Sequence, residues 1–103
     1  NYSVIKEEQI PEALESWVTR SQTRSLLQTK IMDDGTYVLI TRGMKHSGGY
    51  DVEISSIQRD EQTQTLWVKY KLIDPGKDDL VTEEITYPSI LMNIFKMKYV
   101  LRK

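Results

Sequence analysis

From residue 66 to residue 72 every second side chain is apolar: Leu66, Val68, Tyr70 and Leu72 alternate with Trp67, Lys69 and Lys71. Successive side chains of a strand point to opposite faces, so this pattern predicts a half-buried strand. The same period of two places Leu27, Thr29 and Ile31 opposite Gln28 and Lys30. It returns after Gly49, with Tyr50, Val52 and Ile54 inward and Asp51, Glu53 and Ser55 outward. Residues 36–42 (TYVLITR) are β-branched or aromatic nearly throughout and read as a central strand.

One segment has the helical period instead. Ile10, Ala13, Leu14, Trp17 and Val18 recur on one face, and Glu12, Glu15, Ser16, Thr19 and Arg20 occupy the other. Pro11 suits the first helical position, and Trp17 is the expected anchor of this helix in the core. Asp33-Asp34-Gly35 is a hairpin turn; an oxygen-ligated cation would need more ligands than so short a loop supplies. Residues 58–63 (QRDEQT) form a second polar turn, and Asp74-Pro75-Gly76 opens a charged loop. A further strand is expected over residues 81–87, stopped by Pro88. Residues 89–101 are apolar, with a slip in alternation at Ile94 and Phe95 that predicts a bulge or two strand pieces. With a short strand at residues 2–5, the sum is α+β and mainly β. It is an antiparallel sheet or sandwich-like domain of about six or seven strands, with one N-terminal amphipathic helix and hairpin-length connections.

Composition narrows the class. The 103 residues form a single domain, 1–103, and 39% hydrophobic with 28% charged residues is too apolar for a disordered chain. Fourteen Lys and Arg against fifteen Asp and Glu leave a net charge of -1, without the basic surplus that phosphate binding requires, so nucleic acid is not an expected partner. The tail cations Lys96, Lys98, Arg102 and Lys103 alternate with Met97, Tyr99 and Leu101. They are read as the wet face of an edge strand or as a patch for an anionic partner. The absence of cysteine excludes disulfides, thiolate catalysis and Cys-ligated zinc. No run of about 18 apolar residues occurs, so no membrane-spanning segment is expected. Because the chain begins at Asn1 rather than Met, it is read as a processed or trimmed piece, with a removed signal peptide or lipid anchor as one expectation.

Candidate chemistry is sparse. Serine nucleophiles need a base within reach, and the single histidine, His46, directly precedes Ser47, where side chains rarely face one another. Glu83 and Glu84 are neighbours on a predicted strand and face opposite ways, and Glu7 and Glu8 precede the helix, whose positive end they favour. No phosphate-cradling glycine motif is present. The expectation is a non-enzyme with no catalytic residues, no metal and no cofactor. Trp67 falls on the polar side of its strand, where it shields a sheet edge, lies under the helix or marks an exposed contact.

The most informative segment is residues 43–54 (GMKHSGGYDVEI): a strand ends at Gly43, a polar loop follows, and Ser47-Gly48-Gly49-Tyr50 launches the next strand. Paired glycines permit positive φ or close backbone approach. Together with the alternating strand 66–72, Asp74-Pro75-Gly76 and Tyr87-Pro88 before the apolar tail, this order resembles the PrcB C-terminal domain family over about residues 37–97. That family is named for a subunit of a bacterial surface protease complex. Ser47 stands where threonine is commoner in the family. The resemblance implies an extracytoplasmic domain of the bacterial envelope, lipid-anchored or secreted. It would serve a protein partner, a protease in the case the name describes, as a monomer or weak dimer, and it brings no catalytic residues. His46, Ser47, Gly48, Gly49, Tyr50 and Trp67 are the candidate partner-binding residues, the loop being read either as that contact or as a plain strand connection. The 46–50 loop also resembles the Thr-Thr-Gly-Tyr loop of chagasin-like cysteine-protease inhibitors, whose other inhibitory loops have no clear match here. A proteinase inhibitor is therefore the alternative.

Overall fold

A computed structural model describes residues 2–95 and 100–102. The elements in chain order are β1 (Ser3–Ile5), a 3-10 turn (Glu7–Gln9), α1 (Glu12–Ser21), β2 (Ser25–Met32), β3 (Gly35–Arg42), β4 (Asp51–Asp60), β5 (Thr65–Ile73), β6 (Ser89–Phe95) and β7 (Val100–Arg102). Two sheets stack, the first in the order β1-β6-β3-β2 and the second β4-β5-β7. The fold is α+β and mainly β, as the sequence predicts, with α1 as a third layer against the outer face of the first sheet.

The unbroken apolar run of β3 has its explanation in these layers. Val38 and Ile40 face the second sheet and pack with Val52, Leu66, Met92 and Ile94. Tyr37 and Leu39 face the other way and pack with Leu14, Trp17, Val18 and Leu91. A strand buried on both faces has no polar face to show, so alternation disappears. Each fully buried aliphatic side chain contributes about 1.5–3 kcal/mol.

Three sequence expectations change. Hairpins join only β2 to β3 and β4 to β5; residues 43–50 and 74–88 instead cross between the sheets, because β4 and β5 leave the first sheet and β6 returns to it. The expected strand over residues 81–87 does not form. It carries one isolated bridge, Thr86 to Lys45, because no neighbouring strand runs alongside it to take up its backbone groups. The polar side of β2 is not turned to water either. Trp17 Nε1 donates to Gln28 Oε1 (3.3 Å), Gln28 Nε2 donates to Ser21 Oγ (2.8 Å), and Lys30 Nζ lies 5.6 Å from the Trp17 ring. Gln28 and Lys30 sit beneath α1, supplying the partner that a buried indole N–H requires.

The apolar tail does divide into two pieces. β6 pairs antiparallel with β3, and β7 pairs parallel with β5 in the other sheet. A register shift lies in β4, between Ile54 and Ser56. Lys96, Met97, Lys98, Tyr99 and Lys103 lie outside the described residues, and with them most of the tail reading.

Tyr37 provides a pH handle on this architecture. Burial, reinforced by the Asp34 carboxylate that accepts its hydroxyl proton at 2.7 Å, pushes its pKa up to about 12. The neutral phenol is favoured in the folded state, so its contribution is fully present below pH 10 and is lost as pH rises towards 12. At about 1.36 kcal/mol per pKa unit, and with solvent screening near the hydroxyl, the loss is roughly 1–2 kcal/mol. Tyr37→Phe should flatten the alkaline limb of the stability profile, read as wild-type minus variant urea midpoints between pH 9 and 12. Parallel profiles would show that Tyr37 does not titrate with folding.

Candidate functional site

The two crossing connections meet at one end of the sandwich, and the 43–50 loop is fastened there by its backbone. Lys45 and Thr86 exchange N–H···O bonds of 2.9 Å each, Gly48 N donates to Thr82 O (3.0 Å), and Thr86 Oγ1 donates to Ser47 O (2.8 Å). Residues 81–87 thus back the loop in place of a strand. Gly49 has φ +92°, and a Cβ there would stand 2.8 Å from Pro75 Cβ and 3.0 Å from Val81 Cγ1. Only glycine allows this approach. The Ser-Gly-Gly-Tyr motif and the Asp-Pro-Gly turn are therefore two halves of one packing arrangement, which is why they occur together in the sequence.

Arg42 holds the base of this assembly, a role the sequence reading missed. Its guanidinium donates to Ile73 O (2.8 Å) and Asp51 O (3.3 Å) and pairs with Asp74 Oδ1 at 2.6 Å. Its side chain is 8% exposed, whereas that of Asp74 is 65% exposed. The Tyr50 ring lies between two cations, 5.3 Å from the Arg42 guanidinium carbon and 5.2 Å from Lys45 Nζ. The end of β3 is thereby tied to the ends of β4 and β5 across the sheets. The available signal was a lone cation closing an otherwise apolar strand, directly before Gly43.

The predicted residues divide among different duties. Tyr50 is half-buried as a brace, and Gly48 and Gly49 act through their backbone. Ser47 Oγ donates to Gly48 O (3.1 Å), and His46 is exposed and pairs with no carboxylate among the described residues. Trp67 is 46% exposed on the outer face of the second sheet, away from α1. It lies six residues before Ile73, roughly 20 Å along β5 from the loop cluster at about 3.3 Å per residue. The structure does not bring Trp67 together with residues 46–50. Among exposed charged residues such as Lys77, Asp78, Asp79, Glu83 and Glu84, the loop cluster also exposes apolar side chains: Met44 and Val81 are partly exposed, and Leu80 projects entirely into solvent.

Among the described residues no three His, Cys, Asp or Glu side chains converge to hold a metal ion, and no helix is long and apolar enough to cross a membrane.

The family model described as PrcB C-terminal matches residues 36–94. The chain belongs to the PrcB C-terminal family. The matched region begins at β3 and ends in β6, so it contains both crossing connections, the Arg42 clasp and the Gly49–Pro75 contact. β1, α1 and β2 lie outside the match and complete the second hydrophobic cluster from the N-terminal side. Neither a curated protein nor a solved structure matches the chain.

Proposed function

We propose that this PrcB C-terminal domain is a non-catalytic accessory module that works outside the cytoplasm and supports a partner protein, a protease of the kind the family name implies. The observation that carries the reading is the loop cluster: a corner hydrogen-bonded at Lys45, Gly48, Thr82 and Thr86, beside which Leu80, Met44 and Val81 stand exposed to solvent. Exposed apolar side chains on a fixed scaffold are the usual anchors of a protein interface, and loops held by a rigid fold are the usual place for them. His46 lies on the same loop and adds a polar contact at its rim, and Tyr50 keeps the loop in position. Trp67, at the far end of β5, serves as a separate second contact. The family membership accords with an exported domain. The accessory role is preferred to protease inhibition because residues 75–82 back the Gly48-Gly49 corner, whereas an inhibitory loop must enter a cleft.

Affinity capture from envelope extracts, comparing the wild-type domain with Leu80→Asp and Met44→Asp, tests this. One dominant partner should be retained by the wild type and at least about tenfold less by either variant, the equivalent of 1.4 kcal/mol or more. Both positions are exposed, so folding should be unaffected. Equal retention by all three proteins would exclude this surface, and no partner at all would exclude the accessory role.

A further inference from the structure

On the α1 side of the first sheet, next to the loop cluster, a trough opens between the Glu7–Gln9 turn, α1 and residues 85–91. Its main hollow measures about 530 Å³ and continues into a smaller one of about 230 Å³, with Glu7, Ile10, Val18 and Gln22 lining both. The larger hollow falls in the range of about 300–1,000 Å³ typical of ligand sites. The two are open depressions rather than enclosed cavities, adjoining along their shared lining residues. Apolar and polar side chains share the walls, the apolar ones concentrated in the larger hollow. Val4 is 52% exposed, Ile85 58% and Tyr87 41%, so apolar surface that could have been buried is left facing the trough.

Its charge is one-sided. The charged side chains lining the two hollows are Glu7, Glu15 and Asp51, and no Lys or Arg lines either. None of the three carboxylates forms an ion pair among the described residues. Carboxylates of one sign around low-dielectric walls favour a cationic occupant and repel an anionic surface such as a phospholipid headgroup layer.

We propose that the trough binds an extended segment of a partner protein in which apolar side chains alternate with Lys or Arg. The apolar side chains would fill the floor beside Ile10 and Ile85, while the cations face Glu7, Glu15 and Asp51. This rests on the reading of a protein-binding domain but uses a different face from Met44 and Leu80. The chain's own basic-apolar tail is not the occupant within one molecule as far as residues 100–102 go, since these pair with β5.

The test is an NMR titration of the isotope-labelled domain with the hexapeptide Lys-Leu-Lys-Val-Lys-Leu and with its Glu-for-Lys counterpart. The basic peptide should give saturable shifts at the amides of Ile10, Val18 and Leu91, and the acidic one should bind at least about tenfold more weakly. The double variant Glu7→Gln/Glu15→Gln, altering two exposed carboxylates, should weaken the basic peptide about three- to tenfold at low salt, the range expected of two exposed ion pairs. Ile85→Ser should weaken both peptides. Absence of saturable shifts, equal affinity for the two peptides, or an unchanged constant in the carboxylate variant would overturn the proposal. So would shifts at the same amides that depend on protein concentration without peptide, which would make a second copy the occupant. If the peptide fails while Leu80-dependent capture persists, the trough proposal falls alone; if both fail, the accessory reading falls too.

Discussion

Placing alanine at Gly49 is expected to lower the stability of the domain by roughly 2–4 kcal/mol. A positive φ costs a non-glycine residue about 1–2 kcal/mol. The new methyl group would also sit 2.8 Å from Pro75 Cβ and 3.0 Å from Val81 Cγ1, and overpacking of this kind typically adds about 1–3 kcal/mol. The ring fixes Pro75 to its backbone, so this neighbour does not give way cheaply, whereas the exposed Val81 side chain can shift by a few tenths of an ångström. Gly48→Ala is the internal control. Its methyl group would meet Thr82 Oγ1 at 2.6 Å, but that atom ends an exposed side chain held by one long donation to Glu84 Oε1 (3.3 Å), and no positive φ is involved. The cost there should stay near 1 kcal/mol. Urea midpoints of the two variants measure the difference, and equal losses would show that the Gly49–Pro75 approach is not what fixes the corner. Because the loop carries Met44 and abuts Val81, partner capture by Gly49→Ala should weaken along with stability.

The largest effect expected in the α1 layer is at Trp17. Trp17→Ala should cost about 3–5 kcal/mol, since it empties the centre of the cluster formed with Leu14, Val18, Tyr37, Leu39 and Leu91. It also leaves Gln28 Oε1 without its indole donor. Against a total stability of roughly 5–15 kcal/mol, that would leave a marginal protein. Trp17→Phe keeps most of the apolar contact and loses the N–H, so its cost should be about 1–2 kcal/mol. Denaturation followed by far-UV circular dichroism and by Trp67 fluorescence should shift as one transition in both variants. Two separated transitions would mean that residues 36–94 fold without α1 covering them, and that the helix is an attachment rather than part of the cooperative unit.

The agreement between pattern and fold follows from local physics. The alternation of β5 and of β2, the Asp34-Gly35 turn and the helical spacing of Leu14, Trp17 and Val18 each concern neighbours in the chain, and each element formed near its expected position. Residues 81–87 show the limit of that reasoning. Val81, Ile85 and Tyr87 have strand-like spacing, but a strand needs a partner edge, and only Lys45 and Gly48 offer theirs. Arg42 shows the limit for the site. A charge at the end of a strand is ordinarily solvated, and its burial depends on the carbonyls of Ile73 and Asp51 arriving from another sheet.

By itself, the order of apolar and polar residues determined that this chain builds a cysteine-free, mainly β domain with one covering helix, and Ser47-Gly48-Gly49-Tyr50 with its two following prolines marked the family. Which strands share a sheet, the seating of Gly49 on Pro75, the distance between Trp67 and the loop, and the trough beside α1 were decided only in three dimensions. The reason is that side-chain periodicity tells each element which of its faces to bury, whereas the stacking of those faces is set by contacts between residues tens of positions apart.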